Sequence, residues 1–236
     1  MRRIILAILL TVTSQANAGL IIAVGDSNIN NSSNSVFFNN VFGNQNVIGL
    51  NSATDPWSLD NWDSVATQTA ASYSQSMTLS SSSLIGADWL IASSGSLYSQ
   101  STLQLISGFL SAGGNLWVGG EADVFSAFAP ANQLLTHLGS SISLDAVSTS
   151  QYSSASNTNS DAYTVGTTTF SANYLSTITG GVALYSSNGN VTAAIDRTTF
   201  QENATSVPEP STLAIFALGI MGLASRRFKN NKPFMC

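Results

Sequence analysis

Four short apolar runs, Leu20–Val24, Asn46–Leu50, Asp88–Ala92 and Asn115–Val118, set the pattern of the first half of the chain. A short, unbroken apolar run is typical of a strand that is buried on both faces, as in a parallel sheet. Segments with apolar residues at helical spacing lie between or after these runs, at Ser35–Phe42 (capped by Ser35), Ser101–Leu110 and Ala122–Leu138, the last kinked or split by Pro130. This alternation predicts an α/β fold, a three-layer sandwich with a mainly parallel sheet.

The pattern changes after Asp145. Ser148–Ser160 is a low-complexity polar stretch that predicts a loop. Short β-prone segments follow, separated by Gly and Asn turns, at Tyr163–Val165, Thr167–Phe170, Val182–Tyr185 and Val191–Ile195. Weaker strand patterns occur at Met77–Leu79 and Ser141–Leu144. We interpret all of these as strands of one domain, residues 19–200, followed by a linker at 201–206.

The first 18 residues predict a signal peptide. Arg2 and Arg3 form a basic start, and Ile4–Val12 is an apolar segment too short to span a membrane. Ala16 and Ala18 form the small-x-small pattern at which signal peptidase cleaves. We therefore expect an exported protein.

The last 30 residues predict a second targeting segment, at 207–232. Pro208, Glu209 and Pro210 interrupt any preceding element, because each proline fixes its own φ and restricts its neighbour. An uncharged apolar helix is expected at 212–224; at ~1.5 Å per residue it spans about 20 Å of a ~30 Å hydrocarbon core. A basic tail at 226–232, which begins with Arg226 and Arg227, favours the cytoplasmic side. The precursor is therefore expected to be anchored in the inner membrane.

This order of triplet, apolar helix and arginine pair resembles the PEP-CTERM sorting segment of Gram-negative bacteria that make extracellular polysaccharide. The resemblance implies that exosortase, a membrane transpeptidase, cuts near Pro208-Glu209-Pro210. The mature protein would then reach the cell surface or the extracellular matrix. An ordinary C-terminal membrane anchor is the alternative interpretation of the same residues.

Charge is distributed unevenly along the chain. The expected mature core, residues 19–206, has no lysine, a single arginine (Arg197) and eleven of the 12 acidic residues. A protein that binds nucleic acid needs cations to neutralise phosphates, so nucleic acid is excluded as a partner. Solubility must depend on Ser, Thr, Asn and Gln, a composition common in secreted bacterial surface proteins.

Cysteine and histidine are almost absent. Cys236 is the only cysteine and lies beyond the expected cleavage, and His137 is the only histidine. These counts exclude a disulfide framework, thiolate and multi-histidine metal sites, and most Ser-His or Cys-His catalysis in the mature protein. We expect no enzyme activity and no cofactor.

A second resemblance concerns the predicted core. Asp88–Ser94, Ser99–Gly114 and Asn115–Glu121 resemble the central unit of class I glutamine-amidotransferase-like, flavodoxin-like domains, and Ile178–Tyr185 resembles a late strand of that group. The resemblance implies a nucleophilic cysteine directly after the strand at Leu116–Val118. Gly119-Gly120-Glu121 stands there instead, which implies a non-catalytic member.

Ligands of open α/β sheets bind at the carboxyl ends of the strands. The residues expected there are Asp26, Ser27, Ser93, Ser94, Glu121 and Asp123. Their oxygens suit a sugar or Ca²⁺, although solvated acids that cap the following helices explain the same pattern. Trp57 and Trp62 either stack on sugar rings or cover the edge of the domain.

Gly25-Asp26-Ser27 also resembles the first block of GDS-type (SGNH) esterases, which implies Ser27 as a nucleophile with Asp26 beside it. That family has an aspartate two residues before its histidine, and Leu135 stands at that position before His137. The function expected from the sequence is therefore a non-catalytic structural or polysaccharide-binding component of a biofilm or exopolysaccharide matrix. A secreted hydrolase using Ser27 is the alternative, and a Ca²⁺-stabilised adhesin is a third possibility.

Overall fold

The computed structural model describes residues 19–26, 32–50, 65–93, 95–120, 128–148, 153–172 and 176–197. All of them belong to the first of two compact units into which the chain divides, Met1–Phe200 and Gln201–Cys236. Outside the described residues lie the predicted signal peptide (1–18), the linker (201–206) and the sorting segment (207–232), with the helix that the sequence predicts at 212–224. Within those residues, no helix has the length and apolar character needed to cross a bilayer.

The described residues form eleven strands and three α-helices. The strands are β1 (Ile21–Val24), β2 (Asn46–Leu50), β3 (Ser72–Ser76), β4 (Trp89–Ser93), β5 (Asn115–Gly119), β6 (Ser143–Ser148), β7 (Ser153–Asn157), β8 (Thr169–Ala172), β9 (Ser176–Thr179), β10 (Val182–Ser187) and β11 (Asn190–Asp196). The helices are α1 (Ser35–Phe42), α2 (Gln100–Ser111) and α3 (Phe128–His137); Ser32–Asn34 and Ala162–Thr164 are short 3-10 helices. Residues 65–69 are also helical.

The strands form one mixed sheet in the order β3-β2-β4-β5-β1-β11-β10-β7-β8. The first five strands of this order are mutually parallel, and every pairing from β1–β11 onward is antiparallel. β6 and β9 pair with each other, and β9 meets β11 where Ile178 faces Val191. The expectation of a mainly parallel sheet was therefore wrong. Beyond α3, β10 and β11 are joined by a two-residue turn and β7 and β8 by a connection that contains a short 3-10 helix, and connections without a crossover helix produce antiparallel pairs.

The two faces of the sheet carry separate cores. Ile22 and Val24 of β1 pack on one face with α1, in a cluster that contains Phe37, Phe38 and Trp117. Ile21 and Ala23 of the same strand pack on the other face with α2 and α3. The unbroken apolar run of β1 is explained by this arrangement, since both faces of the strand are covered and all four of its residues are fully buried.

The second half of the chain corrects three predictions. The predicted loop Ser148–Ser160 contains β7, and the β-prone segment Tyr163–Val165 is largely a 3-10 helix at Ala162–Thr164. The single late strand expected at Ile178–Tyr185 is instead divided between β9 and β10 by Gly180 and Gly181. Both glycines have positive φ (76° and 66°), a conformation that glycine adopts without strain.

Two predictions in the first half of the chain were also wrong in detail. The edge strand β3 lies at Ser72–Ser76 rather than at Met77–Leu79. Helix α1 is preceded by Asn34, whose side chain does not cap it. That side chain instead binds β8: its Nδ2 donates to the carbonyl of Ser171 (2.6 Å) and its Oδ1 accepts from the Ser171 backbone N–H (2.8 Å). The amide of Asn34 thus replaces a neighbouring strand at the β8 edge of the sheet.

Candidate functional site

The carboxyl ends of the parallel neighbours β1 and β5 are the place where a crevice is expected in an open α/β sheet. These strands are parallel neighbours, but the chain leaves β1 toward α1 on one face and leaves β5 toward α3 on the other. Connections that diverge in this way leave an opening beyond the strand ends, where open α/β sheets bind ligands. The ligand site at these carboxyl ends stays a prediction.

The described part of this crevice is tightly packed. The N–H of Gly25 donates to the carbonyl of Thr192 (2.9 Å), and its carbonyl accepts from the N–H of Ser176 (2.6 Å). A Cβ at residue 25 would collide with the backbone of Ser176, so only glycine fits this contact. Asp26, the next residue, is fully buried. The buried hydroxyl of Ser176 makes no hydrogen bond in the structure.

The other predicted residues of this site are only partly described. Ser93 ends β4 and pairs in register with Gly119 of β5, so it lies at the same edge of the sheet as Asp26. Outside the described residues lie Ser27, Ser94, Glu121, Asp123, Trp57 and Trp62. Among the residues that are described, no group of three or more His, Cys, Asp or Glu side chains could hold a metal ion. The Ca²⁺ site stays a prediction.

The only histidine lies on the side of the sheet where β1 begins, opposite the carboxyl ends of β1 and β5. His137 is exposed at the C-terminal end of α3. A few residues later, Ser140 and Ser141 bind Asp196, which is in register with Ile21, the first residue of β1. The length of β1, about 13 Å at ~3.3 Å per residue, separates the amino end of this strand from Asp26. The Ser27 hydrolase stays a prediction, and the described structure does not bring His137 to Asp26.

Asp196 forms several hydrogen bonds beside the amino end of β1. Its carboxylate accepts hydrogen bonds from the Ser140 hydroxyl (2.7 Å), the Ser141 N–H (2.8 Å) and the Ser141 hydroxyl (3.0 Å). Asp196 is only 4 % exposed. These contacts satisfy a buried charge within the fold, so we assign Asp196 a structural role.

A groove that the sequence did not predict lies in the antiparallel half of the sheet. It has a volume of about 400 Å³ and is lined only by neutral polar residues: Asn157, Thr158, Asn159, Ser160, Thr167 and Thr168. We call it the polar groove. It lies where β7 ends and the chain turns back toward β8. Residues 157–160 belong to the predicted loop Ser148–Ser160, whereas Thr167 and Thr168 belong to the predicted strand Thr167–Phe170. Ser, Thr and Asn are abundant along the whole chain, so composition alone could not identify these residues.

The walls of the polar groove are held by internal hydrogen bonds. The Asn157 amide donates to the carbonyls of Thr164 (3.4 Å) and Thr167 (3.2 Å), and its oxygen accepts from the Asn159 N–H (2.9 Å). The Thr167 hydroxyl bonds to the phenol of Tyr185 (2.5 Å), whose ring is fully buried. Burial raises the pKa of Tyr185, and this hydrogen bond partly offsets the rise.

Three residues present their side chains to solvent along this groove. Asn159, Ser160 and Thr168 are exposed, and their side chains make no hydrogen bond to other described residues. A fixed frame thus presents hydroxyl and amide groups that can both donate and accept.

The groove is bordered by an ion pair. Asp161 follows Ser160 and caps the 3-10 helix through the N–H of Tyr163 (3.0 Å). The guanidinium of Arg197 lies 2.8 Å from the Asp161 carboxylate and 6.0 Å from the centre of the Tyr163 ring. Burial raises the pKa of Tyr163; Arg197 acts in the opposite direction, and Asp161 adds to the rise.

Comparison with known proteins identifies the C-terminal segment. Residues 206–227 match the PEP-CTERM protein-sorting motif, which confirms the predicted sorting segment and implies an exported protein that exosortase processes at the membrane. No curated protein matches the chain, and no solved structure matches it either. The resemblance of the core to glutamine-amidotransferase-like domains stays a prediction.

Proposed function

We propose that this exported, exosortase-processed protein acts outside the cell as a non-catalytic component of an exopolysaccharide or biofilm matrix, where its polar groove binds neutral polysaccharide. The observation that carries this proposal is the groove itself, a depression of about 400 Å³ whose six lining residues are all uncharged and polar. The sorting motif supports the location, since PEP-CTERM processing releases its substrates beyond the inner membrane.

The chemistry of the groove suits a neutral sugar. Sugar hydroxyls donate and accept hydrogen bonds, and so do the side chains of Asn159, Ser160 and Thr168. These groups stand on a frame that Asn157 and Thr167 already hold in place, so binding requires little further ordering of the protein. An anionic polymer fits less well, because the described residues contain one arginine and no lysine.

A non-catalytic role is supported by the crevice at the carboxyl ends. Asp26 is enclosed there, and Gly25 and Ser176 close its described part by direct backbone contact. The only histidine lies near the amino end of β1, away from Asp26. A hydroxyl nucleophile beside Asp26 would need a neighbouring base such as histidine, and the only histidine of the chain is not there.

The proposal includes a route to the surface. The apolar helix at 212–224 and the basic tail at 226–232 hold the precursor in the inner membrane of a Gram-negative cell. Exosortase then cuts near Pro208-Glu209-Pro210, and the mature protein joins the cell surface or the matrix.

The test is retention of the processed protein, purified from its host, on a resin carrying the host's own polysaccharide. We expect retention that 1 M salt does not abolish, because the contacts are between neutral groups. The double variant Asn159→Ala/Thr168→Ala should bind roughly tenfold more weakly, since each neutral hydrogen bond contributes about 0.5–1.5 kcal/mol.

Thr136→Ala is the matched control, because Thr136 is exposed on α3 and its side chain makes no hydrogen bond to another described residue. The proposal fails if the wild-type protein passes freely over the resin. It also fails if the groove variant and Thr136→Ala are retained equally well.

A further inference from the structure

The ion pair that borders the polar groove has one exposed and one enclosed partner. The Nη2 group of Arg197 donates to Oδ1 of Asp161 (3.0 Å) and lies 2.8 Å from its Oδ2. The side chain of Arg197 is 46 % exposed, whereas that of Asp161 is only 8 % exposed. The pair therefore presents its cation to solvent and keeps its acid enclosed.

The position of the pair connects it to the groove. Asp161 directly follows Ser160, which lines the groove. The hydroxyl of Thr164 donates to the carbonyls of Asn159 (2.7 Å) and Asp161 (3.1 Å), which holds the end of the groove and the acid on one frame. A polysaccharide is longer than a groove of about 400 Å³. A polymer that leaves the groove on the Ser160 side therefore reaches the ion pair.

Arg197 is the cation that an acidic sugar would need. A guanidinium binds a carboxylate through paired hydrogen bonds, and the expected mature core contains no other arginine and no lysine. One nitrogen of Arg197 is engaged with Asp161, and the other N–H groups of this guanidinium make no hydrogen bond to described residues. Asp196, the preceding residue, binds Ser140 and Ser141 instead. Asp161 is thus the acid that neutralises Arg197 in the described structure.

We propose that Asp161 determines the specificity of the polar groove. By neutralising Arg197, it excludes polysaccharides that carry carboxylates, such as those rich in uronic acids, and leaves uncharged polysaccharides as ligands. An acidic sugar beyond Ser160 would have to compete with Asp161 for the guanidinium and would be repelled by its charge, whereas a neutral sugar does neither. This inference rests on the proposed function of the groove as a glycan site.

The test compares two forms of one ligand, fragments of the host's polysaccharide before and after oxidation of their primary hydroxyls to carboxylates. Isothermal titration calorimetry gives the Kd of each form for the processed protein. We expect the wild-type protein to bind the native fragments and to bind the oxidised fragments more weakly. The difference should be largest at about 20 mM salt and smaller at about 0.5 M, because salt screens exposed charges.

Asp161→Asn should reverse this preference. The variant removes the charge but keeps an oxygen that can accept from the Tyr163 N–H, as Asp161 does. We expect it to bind the oxidised fragments roughly threefold to tenfold more tightly than the wild type, a modest gain because the guanidinium is half-exposed. Its affinity for the native fragments should be unchanged, which also shows that the groove is still folded.

Two further variants isolate the cause. Asp145→Asn removes an equal charge from β6, at a residue that does not line the groove, and should gain no affinity for the oxidised fragments. The double variant Asp161→Asn/Arg197→Gln should lose the gain, because the freed guanidinium is what binds the carboxylate.

The possible failures can be told apart. If the wild type binds oxidised and native fragments equally well, the inference is wrong and the proposed function stands. The same holds if Asp161→Asn gains no more than Asp145→Asn, or if its gain survives in the double variant. If the wild type does not bind the native fragments, the proposed function is wrong and the inference is overturned with it.

Discussion

The parallel and antiparallel halves of the sheet are stabilised by different means. β1, β4 and β5 of the parallel half are built from large apolar residues that pack against helices on both faces. β7 and β9 of the antiparallel half read Ser-Ser-Ala-Ser-Asn and Ser-Thr-Ile-Thr. Around these strands, side chains such as Asn157 and Asp196 bind backbone groups directly. The comparison shows one sheet in which the parallel half depends on large buried apolar residues. The antiparallel half combines buried residues of β8, β10 and β11 with side chains that bind the backbone.

Helix α1 connects the two halves. The ring of Phe37 lies 5.9 Å from that of Trp117 in β5, and 5.4 Å and 5.2 Å from those of Phe170 in β8 and Tyr185 in β10. One side chain thus contacts both halves, and we expect them to unfold together.

The largest expected effect comes from removing this connection. Phe37→Ala should lower the free energy of unfolding by about 3–5 kcal/mol, because it leaves a cavity in a fully buried aromatic cluster. Urea unfolding followed by circular dichroism measures the loss. Val36→Ala, at a half-exposed neighbour on the same helix, should cost far less. Two separate transitions in the wild-type protein would contradict the expected coupling.

A smaller effect should follow from weakening a polar anchor. Asp196→Asn keeps the shape of the side chain but removes the charge that three donors share, and we expect a loss of about 1–3 kcal/mol in unfolding free energy. Asp145→Asn is the control, since Asp145 is exposed and accepts from the Thr177 hydroxyl. Equal, negligible losses in both variants would show that polar contacts do not stabilise the antiparallel half.

The smallest effect, one that appears only at high pH, distinguishes buried phenols in the two halves. Burial raises the pKa of Tyr98, directly before α2, and of the partly buried Tyr163, in the 3-10 helix between β7 and β8, above the ordinary value of 10.0. Because the folded state favours the neutral phenol, this stability is fully present below pH 10 and is lost as the pH rises beyond it. Tyr98→Phe should therefore shift alkaline unfolding to higher pH, and Tyr163→Phe should shift it less, because Arg197 partly opposes the rise at Tyr163. Melting temperatures between pH 8 and 12 measure both shifts.

The parallel half could be predicted from the sequence because burial leaves a local signal. The runs that became β1, β2, β4 and β5 are apolar and unbroken, and the spacing of apolar residues in α1 and α2 marks their buried sides. These elements lie close to their predicted bounds for that reason.

In the antiparallel half, β10 and β11 were predicted from the β-prone segments Val182–Tyr185 and Val191–Ile195, whereas β7 was not predicted. In β7 only Ala155 is known to be buried, and β7 is held in place by pairing with β8 and β10, which are distant in the chain. Asn157 is indistinguishable from other asparagines until Thr164 and Thr167 are brought next to it. The same reason applies to the two candidate sites. The position of Asp26 at the carboxyl end of β1 can be predicted from the sequence of that strand alone. The residues of the polar groove come together only in the folded chain.

The ion pair between Arg197 and Asp161 has a practical consequence. Arg197 is the only residue between Gly19 and Ser206 after which trypsin can cut, and its side chain is engaged with Asp161. Digestion of the mature protein would yield one very long fragment ending at Arg197 and one short C-terminal piece. Surveys of secreted proteins that depend on tryptic peptides would therefore overlook this protein even where it is abundant, whereas a protease that cuts after aromatic or acidic residues would reveal it.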